Sequence, residues 1–187
     1  MSTTSTVVVH GLILHLKESQ ISLKKKFELI WKPILVGGIF NTTNPSVYQA
    51  RNNPNPVKEK LTYYFKDLKD WADARKIVIN HDGFGPLNSP KVFPVNSVKA
   101  MRGSFMFLDA GGIENYLNSI FYAYWTDGLD ISLEENLINI VENLNVDSIK
   151  FLNFIQQQDT KERLKDNTQE FIDRGGFCSS TFFCKRK

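Results

Sequence analysis

The sequence predicts an α/β fold, and three observations carry that prediction: β-branched and alternating apolar runs near the start, a long stretch of helical periodicity, and an aromatic run near residue 180 that returns to strand character. Residues 1–6 are rich in Ser and Thr and are expected to be disordered. Thr6 to Val9 is β-branched at every position and reads as a short strand. Leu12 to Lys26 reads as a helix. Phe27 to Leu35 alternates around Pro33 as a second strand that runs into a loop at Val36-Gly37-Gly38. The opening is therefore β-α-β, with parallel strands and the helix as crossover.

Asn41 to Pro56, dense in Asn, Pro, Thr and Ser, reads as a long loop. From about Val57 a helix follows, because Leu61, Tyr64, Phe65, Leu68 and Trp71 recur at i, i+3, i+4, i+7 and i+10, opposite Lys58, Lys66, Lys69 and Asp70. A second loop spans Asn80 to Pro94. From Asn96 the pattern is helical, with breaks predicted at Gly111-Gly112, Asp127-Gly128 and Asn145. Ser132, three residues before Glu135, has the spacing of a capping box for the helix that holds Leu137, Ile138, Ile140, Val141 and Leu144. Thr160 to Arg174 reads as a final helix ended by Gly175-Gly176, and Ser180 to Cys184 as a last strand.

A chain of 187 residues with 42% hydrophobic composition is long enough for one substantial core. The expected organisation is a single domain, 1–187, with an all-helical insertion over about 57–174 between the β-α-β half and the C-terminal strand. The formal charge of +3 comes from 23 basic and 20 acidic residues spread along the chain, which does not point to nucleic acid. The basic runs Lys24-Lys25-Lys26 and Lys185-Arg186-Lys187 read as a solvated face and tail. The apolar stretch from Val7 to Leu16 is interrupted by His10, Gly11 and His15, which supports neither a signal peptide nor a membrane span, so a cytoplasmic location is expected.

His10 and His15 lie about 140° apart around a helix, and His81 stands alone in a loop, so no metal is expected. Cys178 and Cys184 do not form a C-x-x-C pair; at the ends of one strand they would be roughly 20 Å apart, beyond disulfide reach.

Local strings narrow the architecture further. Trp31 to Phe40 reads WKPILVGGIF; Lys60-Leu61-Thr62-Tyr63 is followed by Lys66-Asp67-Leu68 and Trp71-Ala72; Phe93-Pro94-Val95-Asn96-Ser97 is followed by Ala100 and Arg102. Tyr124-Trp125 precedes Gly128 and Asp130-Ile131-Ser132, and Asn167-Thr168 precedes Arg174-Gly175-Gly176-Phe177 and Thr181-Phe182-Phe183. In this order, from Trp31 to Phe183, they resemble the 2-hydroxychromene-2-carboxylate isomerase and kappa-class glutathione transferase family. Its members have a DsbA-type thioredoxin-like fold, with helices inserted between the two halves.

The resemblance implies a glutathione-dependent enzyme acting on a small aromatic or conjugated molecule: the thiolate adds, a bond rotates, and the thiolate leaves, or a conjugation is completed. The family places a serine, in an S-P-Y-S-type segment at a helix N-terminus, where it stabilises that thiolate. No such string stands between Val9 and Leu16, and no partner strand, G-x-D-R-like turn or last helix follows Phe183, so the sequence reads as truncated at both ends and no catalytic residue is assigned. A DsbA-family disulfide oxidoreductase and a non-catalytic remnant are the alternatives, the former disfavoured by the missing C-x-x-C. A homodimer is left open.

The resemblance also nominates residues. Asn53 and Lys60 match positions near the glutathione carboxylates, although Asn55 competes with Asn53, and each also reads as an ordinary loop, capping or solvated residue. Ser179 and Ser180 stand where the family has a residue followed by cis-proline, which pairs with the cysteinyl part of glutathione. A non-proline cis bond costs about 2.5–4 kcal/mol, so Ser180 is expected to be trans and the template altered. Asn96 and Ser97 start a helix and either cap it or present donors to an anionic aromatic substrate. Arg102 would pair with a substrate carboxylate or with a structural partner. Trp125, beside Tyr124, reads as core or cleft wall, against a role in stacking on the substrate. Cys178 replaces a family glycine and is the candidate for unexpected thiol chemistry, against the reading of an inert buried cysteine.

Overall fold

The computed structural model describes residues 30–43, 57–74, 76–79, 95–177 and 181–183. The helices among them are α1 (Val36–Thr43), α2 (Lys58–Ala74), α3 (Val98–Asp109), α4 (Ile113–Trp125), α5 (Glu134–Asn143), α6 (Ser148–Gln156) and α7 (Gln158–Asp173). The strand predicted at Thr6–Val9 and the helix predicted at Leu12–Lys26 lie outside the described residues.

The long helical pattern breaks where the backbone needs a left-handed residue. Gly111 has φ +74° between α3 and α4, Gly128 has φ +67° after α4, and Asn145 has φ +59° after α5. One break carried no such signal: Gln157 ends α6 and precedes α7 with ψ 142°, a single non-helical residue in a polar run. α7 therefore begins at Gln158 rather than Thr160. The capping box is also corrected. α5 starts at Glu134 behind Leu133, with no side-chain cap. The Ser132 N–H instead goes to Asp130 Oδ1 (2.9 Å), while Asn136 Nδ2 donates to the Asp130 carbonyl (2.9 Å). A local Asx-type turn has taken the donor that a capping box would use.

α3 is the hub. It packs against α4, α6 and α7, while α5 packs against α4 and α6. Gly103 makes the close approach possible, because a Cβ there would sit 2.5 Å from the Phe151 ring and 2.6 Å from the Tyr116 hydroxyl. Tyr116 donates from that hydroxyl to the Ala100 carbonyl (2.8 Å) and stacks on Phe107 with centroids 4.3 Å apart. Burial in these rings pushes the Tyr116 phenol well above its ordinary range. Leu137, Val141 and Ile155 complete the core, all fully buried.

The N-terminal part departs from expectation. Residues 30–35, within the predicted strand 27–35, form a non-helical run with no ladder partner among the described residues. Its backbone is held by α7 instead: the Leu35 N–H donates to Thr168 Oγ1 (3.0 Å), and Asn167 Nδ2 donates to the Pro33 carbonyl (3.1 Å). Val36-Gly37-Gly38 is not a loop but the first turn of α1, which extends to Thr43 into the segment predicted as loop. Each helical glycine costs about 1 kcal/mol, whereas burying Ile39 and Phe40 contributes about 1.5–3 kcal/mol each, so tertiary packing wins. α1 lies on α7.

α2 starts within a residue of its predicted position, but Trp71 is 52% exposed and the buried residue of its last turn is Ala72. The chain then turns through Lys76 (φ 56°), and Ile77 and Ile79 pack on the helical core while Thr126 Oγ1 donates to the Val78 carbonyl (2.7 Å). At the other end, α7 stops at Gly175, whose φ of +79° lets the Gly175 and Gly176 N–H groups reach back to Ile172 and Phe171. A Cβ on Gly176 would meet the Phe171 ring at 2.4 Å. Residues 181–183, from the predicted last strand, are non-helical and outside any ladder among the described residues. No helix among the described residues is long and apolar enough to cross a membrane.

Candidate functional site

Of the candidate residues that the structure describes, Asn96, Ser97 and Arg102 lie at the start of α3, a helix that packs on α7. Asn96 Oδ1 accepts the Val98 N–H (3.1 Å), an Asx-type turn that leads into α3. Ser97 occupies the N-cap position without a side-chain capping bond. One turn further, Arg102 is part-buried, and its Nε is sealed from solvent with no hydrogen-bond partner. The guanidinium takes no ion pair among the described residues. A buried donor left in this state costs about 1–3 kcal/mol.

Arg102 shares a face of α3 with Asp109, seven residues on, and with Phe105, three residues on. That face meets α7. Arg163 of α7 grips Asp109 through both terminal nitrogens (2.6 and 2.7 Å) and lies over the Phe105 ring at 4.4 Å. The Arg163 guanidinium holds the Asp109 carboxyl below the usual carboxylate range, and Asp109 in turn raises Arg163.

Farther along α7, Asn167 and Thr168 pin residues 33–35, and Glu170 pairs with both Lys32 and Arg174. Lys32 and then Arg174, as hydrogen-bond donors, hold the Glu170 carboxyl below its ordinary value. Arg174 also lies 3.9 Å over the Phe183 ring, which meets Phe171 edge-on at 5.7 Å. Asn167 and Thr168 entered the sequence reading only as a matching string. Their signal was a pair of polar residues inside the buried spacing from Leu164 to Phe171. The Lys32–Glu170 pair bridges residues too far apart in sequence to be foreseen.

Of the other nominated residues, Trp125 is 3% exposed in the helical core, edge-on to Tyr124 at 5.1 Å. Lys60 lies in the first turn of α2. Asn53, Cys178, Ser179 and Ser180 lie outside the described residues. No cluster of His, Cys, Asp and Glu able to hold a metal occurs among the described residues.

The architecture is that of a thioredoxin-fold protein carrying a helical block. It is similar to a solved 2-hydroxychromene-2-carboxylate isomerase, with a TM-score of 0.68 over 97% of this chain and 80% of that one, at 20% identity. The profile of the DSBA-like thioredoxin domain matches residues 14–177, and the chain belongs to that family. The match begins upstream of Trp31, where the recognisable strings start. Among curated proteins, the chain is 29% identical to a 2-hydroxychromene-2-carboxylate isomerase of Pseudomonas sp. (strain C18) over 126 residues, which are 66% of this chain and 54% of that protein. It is 30% identical to the isomerase of the same name from Pseudomonas putida over 129 residues, 68% of this chain and 58% of that protein. The alignments thus span just over half the length of these relatives.

Proposed function

We propose that this chain is a glutathione-dependent isomerase-like protein that acts on a small aromatic or conjugated acid. The observation that supports it most directly is the similarity to two proteins named 2-hydroxychromene-2-carboxylate isomerase across about two thirds of this chain. The donor chemistry fits an anionic ligand: α3 begins beside Asn96 and Ser97, and one turn on Arg102 carries a positive charge with no ion pair among the described residues. Asn53, Lys60, Ser179 and Ser180 are the residues that would hold glutathione, with Lys60 on the first turn of α2. Bound glutathione would supply a thiol nucleophile that adds reversibly to the conjugated system. The chain's own part is to bind and orient the two molecules, as a single domain working in the cytoplasm.

The test is retention on immobilised glutathione together with ultraviolet-monitored isomerisation of a 2-hydroxychromene-2-carboxylate. The expected result is retention and turnover that depends on added glutathione. The absence of both retention and turnover would overturn the proposal.

A further inference from the structure

Each arginine described in the structure sits beside α3 or α7, and they divide sharply. Arg163 pairs with Asp109 and lies over Phe105; Arg174 pairs with Glu170 and lies over Phe183. Both are satisfied in charge and in the face of the guanidinium plane. Arg102 has neither kind of partner among the described residues, although its neighbour Lys99 finds Glu134 at 2.9 Å and its own helix face carries Asp109. Its Nε is the sealed, unpaired atom, so the terminal amino groups, which are not sealed, remain as the open end of the fork. An end-on pair of parallel N–H donors is the geometry that receives a carboxylate bidentately.

We infer that Arg102 is the specificity-determining residue that binds the carboxylate of a conjugated acid substrate. The inference rests on the proposed function and deepens it by assigning the substrate's charged end to one side chain. The carboxylate could belong to glutathione instead. The sequence nominates other residues for glutathione, Asn53, Lys60, Ser179 and Ser180, which leaves Arg102 for the substrate's own carboxylate. Arg102 also stands one turn into α3, where the positive end of the helix dipole adds to its attraction for an anion.

The experiment titrates the full chain by calorimetry with trans-cinnamate, trans-cinnamamide and glutathione separately, using wild type, Arg102→Gln, Arg102→Lys and the neighbouring control Lys99→Gln. The expected result is cinnamate binding weakened about 10- to 100-fold in Arg102→Gln, partly kept in Arg102→Lys and unchanged in Lys99→Gln. Binding of the amide, weak in wild type, and of glutathione should not change. Circular dichroism confirms that each variant folds.

Equal cinnamate affinity in wild type and Arg102→Gln, or no cinnamate binding to wild type, overturns the inference. So does a parallel loss for acid and amide, which marks a packing effect. A loss confined to glutathione overturns the substrate assignment and gives Arg102 to glutathione. Binding of cinnamate through Arg102 without any glutathione-dependent turnover leaves the inference standing and removes the enzymatic proposal, so the two failures are distinguishable.

Discussion

The helical core around α3 and the junction between residues 30–35 and α7 are held by different physics. In the core, Gly103 gives space to Phe151 and Tyr116, and the stability comes from apolar area and ring packing. At the junction, an irregular backbone run is tied down by single side chains: Thr168 on the Leu35 N–H, Asn167 on the Pro33 carbonyl and Glu170 on Lys32. The contrast shows that the family strings describe two kinds of structural work. Ala100 of the first string, with Gly103 just beyond that string, permits packing, whereas Asn167 and Thr168 replace a hydrogen-bonding neighbour. Arg102 belongs to the first string and does neither.

The comparison breaks most readily at Gly103. Gly103→Ala puts a Cβ 2.5 Å from a fully buried ring and should cost about 3 kcal/mol, lowering Tm by roughly 6–12 °C. Urea unfolding measures it, and a cost under about 1 kcal/mol would show that Phe151 can move aside. Thr168→Val keeps the shape but leaves the Leu35 N–H without its acceptor, a loss of about 1–2 kcal/mol. Hydrogen exchange should speed at the Leu35 amide and stay slow in α4 and α6. Uniformly faster exchange would mean that the junction and the core are one cooperative unit.

A smaller effect concerns the clamp between α3 and α7. Asp109 has a folded pKa below its unfolded one, so its contribution is complete above the ordinary carboxylate pKa and is lost as pH falls through the lowered folded value. Both side chains are about half exposed, at 52% and 41%, and solvent screening limits the contribution to about 1 kcal/mol or less. Asp109→Asn should therefore lower stability slightly at neutral pH and flatten its decline below about pH 4. An unchanged acid limb in the variant would remove Asp109 from the account.

Much of this was readable beforehand, for reasons that differ by residue. The helical breaks at Gly111, Gly128 and Asn145 were legible because a left-handed backbone leaves a residue-type signature, and the start of α2 was legible from its apolar spacing. Gln157 was not, since one extended residue in a polar run between two helices has no such signature. α1 was misread because its glycines speak for a loop while the burial that decides the matter comes from α7. At the site, Arg102 could be nominated from its string, but only the structure separates it from Arg163, whose partner Asp109 is 54 residues away, and from Arg174, which adds the Phe183 ring to its neighbour Glu170.

The measurement that bears most directly on this division is the unfolding free energy of Arg102→Met, obtained by urea titration. A residue with no hydrogen-bond or ion-pair partner among the described residues, and with one buried donor already unsatisfied, should be replaceable within about 0.5 kcal/mol, or with a gain. A loss of about 2 kcal/mol or more would contradict the account and place Arg102 with Gly103 and Thr168 among the residues that hold the fold.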